Sequence, residues 1–231
     1  MNLNLKRNFQ TFNKEFEEYC ESKKTTAKLI AVSKTKPLSQ IIELYHLGQR
    51  SFAENYAQEL RDKNIDNLSD INAELAWHFI GQIQKNKIKH IVGTATLIHT
   101  VDSYEKAALI NSLCEQRKIK QNILLQINIS NDKKKAGIKA EETKTLIRKI
   151  ANLTEIQIRG LMTITEFFED PEESRDFYKN LKSLSLEVES ELLSRPELSM
   201  GMSNDYKVAI DEGATIVRVG SKIFGERKKI L

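Results

Sequence analysis

The sequence predicts a (β/α)8 barrel, and three observations carry that expectation. Short aliphatic and β-branched runs recur eight times, segments with three- and four-residue apolar spacing lie between them, and no Pro/Gly/Ser-rich linker breaks the series. With 9 glycines and 3 prolines in 231 residues, the chain reads as one α/β domain over 1–231, at the short end of that fold's size range. A doubly wound open sheet is the runner-up, because periodicity does not report whether a sheet closes. No Gly-x-Gly-x-x-Gly follows the first run to support a dinucleotide site.

Taken in order, the chain opens with Leu5, Phe9, Phe12, Phe16 and Tyr19 at helical spacing, the stripe of an extra N-terminal helix whose job is packing. The eight runs follow: "KLIAVSK" (28–34), "SFAEN" (51–55), "WHFIG" (77–81), "LIHTVD" (97–102), "NILLQINI" (122–129), "EIQIRGLMTI" (155–164), "ELSMGM" (197–202) and "TIVRVGSKIFG" (215–225). Helical patterns separate them, among them "SQIIELYHLGQ", "SYEKAALINSLCEQRK" and "AEETKTLIRKIANL". The acidic "EFFEDPEESRD" (166–176) reads as a loop leading into a helix near Pro171, and a lid is one use for it.

Composition narrows the function. Hydrophobic residues make up 40%, enough for a sizeable core, and 36 Lys+Arg against 32 Asp+Glu leave a formal net charge of +4, too small to indicate nucleic acid. Cys20 and Cys114 have no ligand or redox spacing and read as free thiols in a reducing compartment. No signal-peptide core and no run of roughly 20 apolar residues is present, so a soluble cytoplasmic protein with no membrane partner is expected. His78 reads as a hydrogen-bonded strand histidine and shows no metal spacing with His46, His90 or His99, so no metal is expected.

The chemistry starts at Lys34. Strand ends of such a barrel build its active face, so a lysine closing the first run stands at the mouth, where desolvation favours the neutral amine and a Schiff base with an aldehyde. The same lysine also fits a surface charge before Pro37. In the eighth segment Arg218 offers a permanent cation, Gly220 lacks a Cβ that would keep an anion from the backbone, and Ser221 adds a hydroxyl. "GMSND" puts Ser203 and Asn204 at the neighbouring strand end. Closure would bring strands eight and one together, so an aldehyde carrying a phosphate answers both features.

The motifs "AVSKTKP", "FAENYAQE", "WHFIGQIQKNK", "TVDS", "QINIS…KAGI", "RGLMTI", "SMGMSNDYKVAI" and "VRVGSKIFGER" resemble, in order, those of the pyridoxal phosphate homeostasis protein family, related to the alanine racemase N-terminal barrel. The resemblance implies that Lys34 carries pyridoxal 5′-phosphate as an internal aldimine. It further implies that Ser203 and the Gly220–Ser221 turn bind phosphate with Arg218 close by, and that Asn55 and Met162 border the cofactor ring. Departures are small: Ala53 stands where glycine is usual and Ile83 where leucine is usual.

The implied function is a non-catalytic, monomeric carrier that maintains vitamin B6 and amino acid/keto acid balance and hands the cofactor to recipient apoenzymes, with no catalytic residue. Alanine racemase-like enzymes add a β-rich domain and a catalytic tyrosine, and with six residues after Gly225 no such domain is expected here. Tyr56 and Tyr206 are the tyrosines near barrel-end motifs, though each also reads as packing. Lys36, Lys222 and the run Lys133, Lys134, Lys135 and Lys139 are candidate second amines, the run reading also as a solvated loop. The alternatives are a pyridoxal phosphate-dependent racemase or lyase and a cofactor-free, aldolase-type lysine barrel.

Overall fold

Residues 3–64, 71, 74–130 and 136–226 are described by the computed structural model. All eight runs contain strands: β1 Lys28–Val32, β2 Ser51–Glu54, β3 Ala76–Phe79, β4 Leu97–Val101, β5 Gln121–Gln126, β6 Ile156–Met162, β7 Glu197–Ser199 and β8 Ile216–Val219. Every neighbouring pair is parallel, and β1 pairs with β8 through Ile30↔Arg218 and Ala31↔Val219, so the sheet closes. The open-sheet alternative falls on that register.

The strands are shorter than the apolar runs. β1 stops at Val32, leaving Lys34 in the following turn, and the eighth run divides into β8, a turn at Gly220 and a short helix Ser221–Phe224. A parallel strand is buried on both faces, which is why these runs are nearly continuous rather than alternating. Ile30, Ala53, Ile80, Leu97, Leu124, Met162 and Ile216 fill the barrel, whereas Ala31, Phe52, Trp77, Ile98, Leu161 and Val217 join the larger core under the helices.

We label the α-helices α1 Leu3–Ser22, α2 Leu38–His46, α3 Ala57–Lys63, α4 Tyr104–Arg117, α5 Thr143–Ile150, α6 Arg175–Glu187, α7 Tyr206–Asp211 and α8 Ser221–Phe224. Ser103 caps α4 by accepting from the Lys106 amide at 3.3 Å, and Lys118, at φ 56°, ends it. Along α1, Leu5, Phe9, Phe12, Phe16 and Cys20 are buried, as the stripe requires. Phe12 meets Tyr206 edge-on at 5.2 Å and α1 lies beside α8, so the extra helix buttresses the turn after β8. Cys20 and Cys114 are both buried and free, and burial raises both thiols. Among the described residues no helix is long and apolar enough to cross a membrane.

Candidate functional site

A cavity of about 390 Å³ opens at the C-terminal ends of the strands. Its wall includes Lys34 after β1, Asn55 after β2, Ser203 after β7, and Arg218, Gly220 and Ser221 from β8 and the turn beyond. Six of the seven residues singled out in the sequence therefore converge. Met162 is fully buried in the interior layer with Val32 and Ile80, which do line the cavity.

A buried polar cluster sets the turn that carries Lys34. The Ser33 hydroxyl donates to Glu54 Oε1 at 2.6 Å, and Lys63 Nζ, from the end of α3, donates to Glu54 Oε1 at 2.8 Å, Glu59 Oε2 at 2.9 Å and the Ser33 carbonyl at 3.0 Å. The Thr35 amide donates to Glu59 Oε2 at 2.8 Å, and Thr35 is held at φ 64°. Burial pushes the Glu54 carboxyl up to about 7 against the pull of Lys63 and Ser33. Burial also pushes Glu59 up, but the Lys63 and Thr35 hydrogen bonds outweigh it and hold that carboxyl below its usual range.

Beside it, Asn55 Oδ1 is buried without a hydrogen-bond partner among the described residues. Gly81 explains part of its placement, because a Cβ there would lie 1.8 Å from the Asn55 carbonyl oxygen.

The opposite wall joins the loops after β7 and β8. Asp205 accepts from the Met202 amide at 2.7 Å and from the Tyr178 hydroxyl at 2.7 Å, fixing the turn that presents Ser203. The Gly220 amide donates to Ser203 Oγ at 3.2 Å, and the helical bonds of α8 begin only at Ile223 and Phe224, leaving the Ser221 and Lys222 amides ahead of them. A Cβ on Gly220 would make only ordinary contacts, 3.5 Å to Val32. The protein's own packing does not require glycine there.

Arg218 reaches the cavity from inside the barrel. It donates to Ser199 Oγ at 2.6 Å and to the Thr163 carbonyl at 2.9 Å, and burial lowers its pKa. Ser199 Oγ lies 2.9 Å from His99 Nδ1, and His99 Nε2 lies 3.0 Å from His78 Nδ1. Ser199 Oγ accepts from Arg218, and the tautomers of the two rings set the direction of the Ser199–His99 and His99–His78 hydrogen bonds. Both rings are neutral in this arrangement, and burial lowers His78 to about 4 and His99 well below its ordinary value.

The remaining candidates separate cleanly. Lys36 lines the cavity and donates to the Phe224 carbonyl at 3.3 Å, whereas Lys222 lies over the Phe12 and Tyr206 rings and Lys139 is exposed outside the cavity. Lys133, Lys134 and Lys135 lie outside the described residues. Tyr206 is buried against α1 and donates to Glu15 at 2.8 Å, and Tyr56 is 54% exposed. Glu166, Phe167, Phe168 and Pro171 of the acidic segment line one side of the cavity. Asp170 caps its 3-10 turn by accepting from the Glu172 amide at 3.0 Å. Among the described residues no group of three or more His, Cys, Asp or Glu could hold a metal ion.

Sequence reasoning missed Glu54, Lys63, Asp205, Tyr178, His99 and Ser199. The available signal was the Glu59/Lys63 spacing, which reads as an ordinary surface pair.

Comparison with known proteins gives the family. The family model of the alanine racemase N-terminal domain matches residues 4–228. The pyridoxal phosphate homeostasis protein of Aquifex aeolicus is 40% identical over 203 residues, covering 87% of this chain and 88% of the relative. That of Haemophilus influenzae is 36% identical over 230 residues, 97% of each. The solved structure of PipY from Synechococcus elongatus with PLP bound superposes with a TM-score of 0.80 at 33% identity, covering 90% of this chain and 99% of PipY. The chain therefore belongs to the pyridoxal phosphate homeostasis protein family, within the alanine racemase N-terminal domain fold.

Proposed function

We propose that residues 1–231 act as one cytoplasmic, monomeric pyridoxal 5′-phosphate-binding unit that holds the cofactor at the C-terminal mouth and yields it to recipient apoenzymes without turnover. The observation that carries this reading is the convergence of Lys34, Asn55, Ser203, Arg218, Gly220 and Ser221 on one cavity, at strand ends made neighbours by closure. Three features of the wall fit the group. The cavity's 390 Å³ lies within the usual range for small-molecule sites. Asn55 Oδ1 lacks a partner among the described residues, and the cradle at Gly220 is free of a Cβ that the protein itself would tolerate.

Bound there, pyridoxal phosphate supplies a carbonyl that condenses reversibly with a primary amine. Lys34 provides that amine. Ser203 and the Gly220–Ser221 turn hold an anion, and Arg218 presents a permanent cation fixed from behind by Ser199 and Thr163. Asn55, after β2, would border the ring, and Met162 packs in the same interior cluster as Val32 and Ile80, which line the cavity. Tyr56 and Tyr206 stand outside the cavity wall.

The test is spectroscopic. Protein titrated with pyridoxal phosphate acquires a visible band, and borohydride followed by peptide mass analysis places the modification on Lys34; Lys34→Ala stays colourless. Labelling of another lysine, or no band at saturation, defeats the assignment. Exchange of amino acid α-protons with deuterated solvent that disappears in Lys34→Ala defeats the non-catalytic part.

A further inference from the structure

From the cluster behind the mouth we infer that Lys63 is a positioning residue for Lys34, acting with Glu54 and Glu59 as a clamp on the two peptide groups that flank it. The inference rests on the reading of Lys34 as the cofactor-bearing amine. Its geometry stands independently. On one side of Lys34 the Ser33 carbonyl accepts from Lys63 Nζ, and the Ser33 hydroxyl is tied to Glu54. On the other side the Thr35 amide donates to Glu59, which is itself paired with Lys63 at 2.9 Å. One ammonium, its side chain 10% exposed, thus ties both neighbours of a single residue.

Two physical arguments give the clamp a purpose beyond stability. A buried ion pair is a poor stabiliser, because desolvating the charges offsets much of their attraction, and Glu54 is fully buried with Oε2 unpartnered among the described residues. Thr35, a β-branched residue, is held at a left-handed φ of 64°, a conformation that relaxes unless surrounding bonds determine it. Both costs are borne at the residues that decide where the Lys34 stem leaves the backbone. Glu54 and Ser33 come from adjacent strand ends, and Glu59 and Lys63 face them from one turn of α3, so the clamp couples the helix after β2 to the lysine after β1.

The experiment compares wild type with Lys63→Met, Lys63→Arg and Glu59→Ala. Without cofactor, amide hydrogen exchange at Thr35 is expected to quicken roughly tenfold in Glu59→Ala, which removes its acceptor, and about fivefold in Lys63→Met, which frees that acceptor from its tether, with Ile98 in β4 unchanged as the reference for global stability. With pyridoxal phosphate loaded, its loss to excess free lysine is expected to quicken by about fivefold in Lys63→Met and by less in Lys63→Arg, which keeps the cation but not the compact ammonium. Folded Lys63→Met with wild-type exchange at Thr35 and wild-type loss overturns the inference. If Lys63→Met does not fold, Glu59→Ala decides by the same two measurements, since it leaves the Lys63–Glu54 pair in place. Wild type that stays colourless, or is fixed by borohydride elsewhere, refutes the cofactor reading, while the exchange measurement still judges the clamp.

Discussion

His78 offers the sharpest test of the barrel interior. Burial holds its pKa at about 4 rather than 6.5, so the folded chain keeps the ring neutral while the unfolded chain protonates it in mild acid. The sign follows directly: this contribution is fully present above about pH 6.5 and is lost as the pH falls through about 4. Between pH 7 and pH 5 the loss works out at about 2 kcal/mol, rising to about 3 below pH 4. Other groups titrate over the same span, and Glu54 acts in the opposite direction, so the informative quantity is a difference. His78→Asn keeps a side-chain hydrogen-bonding group beside His99 and removes the titration. Urea unfolding at pH 7, 6 and 5 should therefore show wild type losing about 2 kcal/mol more than the variant over that interval. Curves that run parallel to within about 0.5 kcal/mol would refute the neutral, desolvated histidine.

Glu54 carries the opposite slope, since its carboxyl is raised to about 7: its contribution is present below about 4.5 and lost as the pH rises through 7. Glu54→Gln should flatten the fall in unfolding free energy across that window, and an unchanged slope counts against a buried, ionising Glu54. Two glycines should behave differently. Gly81→Ala drives a Cβ into the Asn55 carbonyl and should cost about 2 kcal/mol or more by chemical denaturation. Gly220→Ala meets only Val32 at van der Waals distance and should change stability by less than about 1 kcal/mol, yet weaken pyridoxal phosphate binding about tenfold in an absorbance titration. Equal affinity would remove the turn from the site. Arg218→Met leaves the Thr163 carbonyl and Ser199 short of a donor inside the barrel and should lower stability by about 2 kcal/mol in urea.

Much of the site was legible because a closed parallel barrel brings strand ends together whatever their separation in sequence. Lys34 and Gly220 are far apart along the chain, but β1 and β8 pair, and both turns open on one cavity. The supporting groups were hidden for an equally definite reason. Glu59 and Lys63 have the spacing of a solvent-facing helix pair, and only the packing of α3 against the β1 and β2 ends shows that Lys63 is buried and turned inward. His78 and His99 lie 21 positions apart with no metal-like spacing, and they meet at 3.0 Å because β3 and β4 are adjacent and both side chains face the interior. Strand ends were overestimated at "TIVRVGSKIFG" because an apolar run does not distinguish β8 from the buried Ile223 of the helix that follows.

By itself the sequence determined the alternation of strands and helices, the buried stripe of α1 and the chemical character of each strand end, because these depend on side-chain periodicity and on functional groups a short stretch already contains. Tertiary structure decided which strand is the neighbour of the first, how far each strand runs, and which polar groups lose water together. Those outcomes depend on register and desolvation between segments distant in the chain, and they turn Lys63, Glu54, His78 and His99 from ordinary polar residues into the supports of the cavity.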